Sequence, residues 1–286
     1  MPAIQLQQGT IHYEEAGPPD GRPLVFVHGY LMGGDLWAVL GEKLAGRGLR
    51  AIMPTWPLGA HREPMHPGAD LTPRGVAAII AGFLEAMELE DVVLVGNDTG
   101  GALCQVVAVD HPGRLGALVL TNCDMYENFP PSFFKTLIVA AKLPGGLKAA
   151  LQPMRTAAAR RSPLGYGMLS YGDVDHLASR WVRPVFENPA VLEDVRRFTV
   201  ALDNEVTLDA AARLPAFGKP VLMAWAPDDK LFPLELAQRL AATLPDARVE
   251  TIAESRAFSM IDQPDRLAGL VEEVAAQRSA AGQAIR

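Results

Sequence analysis

Asp98 lies in the segment Val92-Val93-Leu94-Val95-Gly96-Asn97-Asp98-Thr99-Gly100-Gly101, where an apolar run meets a helix-forming run through Gly-x-Asp-x-Gly with almost no loop. That is the spacing of a nucleophile elbow, a turn that lifts one reactive side chain above the end of a buried strand. Glycines on both sides relieve crowding, so the central residue can adopt a strained backbone conformation. A carboxylate there faces the first turn of a helix, whose free N–H groups and dipole favour the ionised, nucleophilic form. The same residues also suit a plain helix cap, because Asp is among the best N-cap residues. On this segment alone both readings stay open. The glycines at 29, 33 and 34 are followed by Asp35 where a phosphate-binding loop needs lysine, and neither glycine cluster spells G-x-G-x-x-G, so no nucleotide site is indicated.

The surrounding elements are those needed to hold such a turn. Two short strands, Ile4–Gln7 and Ile11–Glu15, precede Leu24–Val27, an apolar run that ends at His28-Gly29. A helix follows from Asp35, then strand Arg50–Met53, a helix from Thr72 to Glu88 with Pro73 in its first turn, strand Val92–Val95, helix Thr99–Asp110 and strand Ala117–Leu120. Strands alternating with helices predict a mostly parallel sheet covered on both faces. From Asp124 to Phe217 the alternation gives way to helical pieces broken by prolines, which reads as an insertion. The pattern resumes with strand Pro220–Trp225, helix Pro233–Leu244, strand Arg248–Ile252 and a helix from Pro264 to Ala276, ahead of a polar tail from Arg278.

Composition narrows the function. At 286 residues and 49% hydrophobic, the chain can bury a sizeable core, as one large domain with an insertion or as two small domains, and its formal charge of −7 argues against a nucleic-acid partner. Met1 to Gly9 lacks the basic start and apolar stretch of a secretory leader, and no apolar run is long enough to span a membrane. A cytoplasmic monomer or homodimer acting on a small molecule is the expectation, with no metal or cofactor implied. Cys104 and Cys123 sit in apolar surroundings and read as buried reduced thiols.

The order of these motifs, His28-Gly29 at a strand end, the elbow two strands later and a helical insertion after the next strand, resembles the α/β-hydrolase superfamily over essentially the whole chain. With aspartate at the elbow it resembles the haloalkane dehalogenase and epoxide hydrolase branch. The resemblance implies an α/β-hydrolase core over 1–123 and 218–286 with a helical cap over 124–217. It implies Asp98 as nucleophile, the N–H of Thr99 and the residue after His28-Gly29, Tyr30, lining the oxyanion or halide pocket, and Asp229 as the supporting acid, four residues before Pro233. Asp124 is a second candidate acid, because some dehalogenase-like enzymes carry theirs at that point. On their own residue types, Asp228-Asp229 suit an ordinary turn and Asp124 a loop carboxylate.

One position breaks the pattern. The family's histidine follows the last strand, and here Glu254-Ser255-Arg256-Ala257-Phe258 puts Ala257 in its place, with no histidine after His176. That histidine deprotonates the water that hydrolyses the ester on the aspartate, so attack is expected to proceed and turnover to stall. Of the six histidines, His28 and then His176 are the ones expected nearest the pocket. Thr99 replaces the tryptophan that commonly holds halide in the dehalogenase branch, and the placement of Trp37 is open. Tyr166 and Tyr171 are candidates for the paired cap tyrosines of epoxide hydrolases, although both suit simple packing. Phe129, Phe133, Phe134, Met154, Met168 and Trp181 suggest an apolar roof and so an apolar ligand. The alternatives are an Asp98-nucleophile hydrolase, a non-hydrolytic acid or base catalyst, and a turnover-deficient binding protein on the same fold.

Overall fold

In the computed structural model, residues 1–132 and 134–277 are described; Phe133 and the polar tail 278–286 lie outside them. Eight strands form one sheet in the order β1-β2-β4-β3-β5-β6-β7-β8. They are β1 (Ala3–Leu6), β2 (Gly9–Ala16), β3 (Pro23–Val27), β4 (Arg50–Pro54), β5 (Val92–Asp98), β6 (Leu115–Cys123), β7 (Val221–Trp225) and β8 (Ala247–Thr251). Pairing is antiparallel at β1·β2 and β2·β4 and parallel across the rest. Every residue of β6, all of β7 and the first six of β5 are buried. A strand with no exposed face must be covered on both sides, which explains why these runs are continuously apolar rather than alternating.

The coverage comes from α1 (Ala38–Ala45), α2 (Pro73–Ala86) and α3 (Thr99–Asp110) early in the chain. A 3-10 turn at Gly34–Trp37 leads into α1, so the regular helix starts later than Asp35. Helix α2 begins as its sequence predicts, with the Thr72 hydroxyl accepting from Gly75 N and Pro73 in the first turn, where its missing N–H costs nothing.

Between β6 and β7 the chain forms α4 (Phe134–Ala141), α5 (Gly146–Leu151), α6 (Ala157–Arg160), α7 (Asp175–Trp181), α8 (Arg183–Glu187), α9 (Pro189–Val200) and α10 (Glu205–Arg213). After β7 come α11 (Leu234–Ala241), α12 (Ser259–Asp262) and α13 (Pro264–Ala276). Helix α13 packs with α1, and α2 with α3. The helical stretch between β6 and β7 is tied to loops at the carboxyl ends of the parallel strands. Tyr166 Oη donates to Leu31 O at 2.6 Å, Tyr30 and Thr199 hydroxyls meet at 2.7 Å, and Phe258 N donates to Leu169 O at 2.7 Å. Among the described residues, no helix is long and apolar enough to cross a membrane.

Candidate active site

Strand β5 passes directly into α3 at Asp98, which has φ 55° and ψ −135°. For a residue with a side chain this is a strained backbone, costing on the order of 1–3 kcal/mol, and it persists because packing leaves the turn no alternative. Helix α3 crosses so close to β3 that a Cβ on Gly100 would lie 2.3 Å from Val27 O. The half-buried Asp98 side chain caps α3. Its Oδ1 accepts from Thr99 N at 2.7 Å and from Tyr30 N at 3.1 Å. Cap and elbow, the alternatives left open by the sequence, are therefore one geometry. Oδ1 is thus held by two backbone N–H groups. Burial raises the Asp98 carboxyl above its ordinary range, and the two N–H groups oppose that rise by favouring the anion.

Gly29 makes this approach possible, since a Cβ there would sit 2.1 Å from Asp98 Oδ1. Gly29→Ala is expected to displace the carboxylate from Tyr30 N and to slow any reaction of Asp98 at least ~10-fold, with overpacking costing about 1–3 kcal/mol. Reaction rate and urea midpoint measured together check this. A fully active, equally stable variant would contradict the tight approach.

Asp229 is buried and fixed entirely by backbone N–H groups. Oδ1 accepts from Leu231 N at 2.9 Å and Phe232 N at 2.8 Å, and Oδ2 accepts from Ala257 N at 2.8 Å. Burial raises its carboxyl, with those N–H groups pulling the other way. Asp229 thus stands beside position 257, and Ala257 is fully buried. Asp124, at the end of β6, is 1% exposed; its Oδ2 accepts from Thr99 Oγ1 at 3.3 Å and its Oδ1 has no partner among the described residues. Burial first, and then the Asp98 charge, push the Asp124 carboxyl well up. The structure therefore brings Asp98, Thr99, Asp124, Tyr30 and Gly29 together, with Asp229 adjacent.

Other sequence candidates are placed elsewhere. The His28 ring is buried among backbone: Nε2 accepts from Trp56 N at 2.8 Å and Nδ1 lies 3.0 Å from Gly29 O, so its proton sits on Nδ1. Burial lowers it to about 4, and it serves the Tyr30 loop rather than a substrate. His176 lines a cleft of about 890 Å³ together with Gly33, Asp35, Arg180 and Trp181, whose lining does not include Asp98, Asp124 or Asp229. Trp37 is a core residue packed on Phe26 with ring centroids 5.0 Å apart, because its turn faces inward before α1. Tyr171 is 56% exposed, stacks on the Arg256 guanidinium at 4.5 Å, and lines a surface cleft with Arg160, Arg161 and Asp173 that does not include Asp98. Tyr166 is buried, its hydroxyl held by Leu31 O, and Phe129 is buried after β6.

Two positioning residues carry no sequence signal. Buried Asn97 donates from Nδ2 to Thr121 O, Asn122 O and Ala257 O, tying the elbow to the loop after β8. Gln105 donates to Asp124 O at 2.9 Å. Both depend on residues far away in the chain, so neither spacing nor periodicity marks them.

Comparison with known proteins agrees with this architecture. The family described as alpha/beta hydrolase fold matches residues 22–264. A non-heme chloroperoxidase of Streptomyces lividans is 28% identical over 272 residues, covering 88% of this chain and 91% of that protein. Haloalkane dehalogenase 2 of Mycobacterium bovis is 25% identical over 274 residues, covering 93% and 91%. The crystal structure of haloalkane dehalogenase DbeA from Bradyrhizobium elkani superposes with TM-score 0.76 at 17% identity, over 96% of this chain and 97% of that one. The match over residues 22–264, joined to the sheet order and the strand-to-helix elbow at Asp98, makes this chain a member of the alpha/beta hydrolase fold family.

Proposed function

We propose that this chain is an enzyme in which the Asp98 carboxylate attacks an electrophilic carbon of a small to medium apolar substrate, as in the epoxide hydrolase and haloalkane dehalogenase branch. The observation that carries this reading is the division of labour within one carboxylate. Oδ1 rests on Tyr30 N and Thr99 N while Oδ2 is left to attack. In the ester so formed Oδ1 becomes the carbonyl oxygen, and the same N–H groups polarise it for the next step. The dehalogenase named for the Mycobacterium relative is consistent with such chemistry.

Residues 124–217 act in this reading as a cap over a core formed by 1–123 and 218–286. Their aromatic side chains supply the apolar wall: Tyr166 meets Trp181 at 5.5 Å, Trp181 meets Phe258 at 6.2 Å, and Tyr30 meets Phe134 at 5.2 Å. Such a wall selects ligands by shape and hydrophobicity.

A second reading is supported by the alanine at position 257: Asp98 works as a base on a bound carbon acid and never forms an ester. The two separate cleanly by mass. Incubation with styrene oxide or 1-bromobutane gives an alkylated Asp98 peptide under the nucleophile reading, which Asp98→Asn abolishes. A protein that stays unmodified by every electrophile of suitable size refutes it.

A further inference from the structure

We propose that Asp124, working through the Thr99 hydroxyl, is the base that activates water at this site in place of the absent histidine. The inference rests on the nucleophile reading of Asp98. His28 has both ring nitrogens engaged with backbone, His61 lies between Gly59 N and Asp194, His66 is at Gln7 O, His12 pairs with Glu63, His176 lines the separate cleft, and His111 is exposed after α3. No imidazole serves Asp98.

What does stand there is a second carboxyl group with a buried oxygen, Asp124 Oδ1, that has no partner among the described residues. A polar atom left without a partner in an apolar interior is costly, so its presence at this point asks for a role. The group is also well connected. Thr99 Oγ1 donates to Asp124 Oδ2 at 3.3 Å while Thr99 N donates to Asp98 Oδ1 at 2.7 Å, so one residue touches both acids. Asp124 N donates to Asp98 O at 3.3 Å, and Gln105 holds Asp124 O, which fixes the register of the pair. The hydroxyl donates toward Asp124, the direction a base relay requires.

The charge cycle closes without any other group. In this scheme the pair holds one proton at rest, on Asp124, whose carboxyl is pushed well up by burial and then by the Asp98 charge. Asp98 Oδ2 attacks an epoxide carbon, the C–O bond breaks with its electron pair on oxygen, and that alkoxide is neutralised by one proton, leaving Asp124 as the anion. Esterification has removed the neighbouring charge that opposed this ionisation. Asp124 then draws the Thr99 proton, Thr99 takes one from water, and hydroxide adds to the ester carbonyl. The oxyanion forms at Oδ1, between Tyr30 N and Thr99 N. Collapse breaks the bond to the diol oxygen, which leaves with the proton of the added hydroxyl, and Asp98 is again a carboxylate beside a protonated Asp124. The titratable groups facing the pair are Cys123 beside Asp124, and Asp229 and Tyr166 toward Asp98, with Arg256 acting on Asp229. Asp124 is a positioning and relay residue in this scheme, since Thr99 meets the water.

The test separates ester formation from ester breakdown. The full-length protein is loaded with styrene oxide, freed of reagent, and followed by intact mass in ¹⁸O-water. In Asp124→Asn the ratio of breakdown rate to formation rate is expected to fall about 100-fold, the low end of general-base contributions. Breakdown in the wild type is expected to rise with pH as Asp124 ionises and to be flat in the variant, with Asp124→Glu restoring part of the slope. If Asp124→Asn does not fold, Thr99→Val keeps the backbone N–H and is expected to show the same loss and the same flat profile. An ester that breaks down in these variants with wild-type rate and pH dependence overturns the inference while leaving Asp98 as nucleophile. A wild-type protein that forms no ester overturns both.

Discussion

Ala257→His is expected to raise breakdown of an Asp98 ester by about 10²–10⁴-fold, the usual range for a positioned general base. The wild type, loaded with styrene oxide, is expected to accumulate one adduct on the Asp98 peptide because formation outruns breakdown. The variant is expected to show the adduct only transiently and to release diol. The support for such a ring is already in place. Asp229 Oδ2 accepts from Ala257 N at 2.8 Å, and its other oxygen is fixed by Leu231 N and Phe232 N, so the carboxylate cannot swing away. It can orient an imidazole toward Asp98, as an acid orients the base of a catalytic triad. Position 257 is fully buried, so the added ring costs about 1–3 kcal/mol in overpacking, and urea unfolding at the same pH checks that the variant is folded. Asp229→Asn in the Ala257→His background is expected to remove most of the gain. A folded Ala257→His protein with unaltered ester lifetime would mean that position 257 does not face the ester carbonyl.

The pairing of a well-formed elbow with an alanine at position 257 explains which parts of the site the sequence reveals. Gly96-x-Asp98-x-Gly100 is legible because local sterics dictate it: the left-handed turn and the approach of α3 to Val27 O each restrict residue choice at fixed spacing. The continuous apolar runs of β3, β5, β6 and β7 are legible for a similar reason, since burial on both faces leaves no polar alternation. Asp229 is legible only by resemblance, because Asp-Asp-Lys before Leu231-Phe232-Pro233 suits any turn. Trp37, Tyr171 and His28 illustrate one point. Residue type indicates what a side chain can do, but the direction it faces is set by tertiary packing. Trp37 faces the core, Tyr171 faces solvent and His28 faces backbone. Thr99 as a bridge between two acids, and Asn97 and Gln105 as the ties beneath it, depend on β6 and the loop after β8 coming alongside the elbow.

His28 makes the fold and the site sensitive to acid in the same place, and the expected effect is large. Its ring is buried and lowered from 6.5 to about 4, chiefly by desolvation, so the unfolded chain binds a proton at His28 more readily than the folded one. The stability it contributes is therefore present in full above pH 6.5 and is lost as pH falls toward 4, a change of about 3 kcal/mol. Asp98, Asp124 and Asp229 act with the opposite sign. Their carboxyls are raised in the fold, so their ionisation penalty is absent below the ordinary aspartate range and grows as pH rises through their folded values. Comparison with His28→Gln isolates the histidine. Measured by urea unfolding, the stability difference between wild type and His28→Gln is expected to shrink by about 3 kcal/mol from pH 7 to pH 4, whereas Asp124→Asn is expected to gain on the wild type as pH rises. The local reason is a reversal of hydrogen-bond polarity. Neutral Nε2 accepts from Trp56 N, and protonation would set two donors facing each other, beside the Gly29-Tyr30 segment that carries one of the two N–H groups on Asp98. Reaction of Asp98 with styrene oxide is thus expected to fall in acid before global unfolding begins, and to do so less steeply in His28→Gln. A stability difference that does not change with pH would show that His28 is not held neutral by burial.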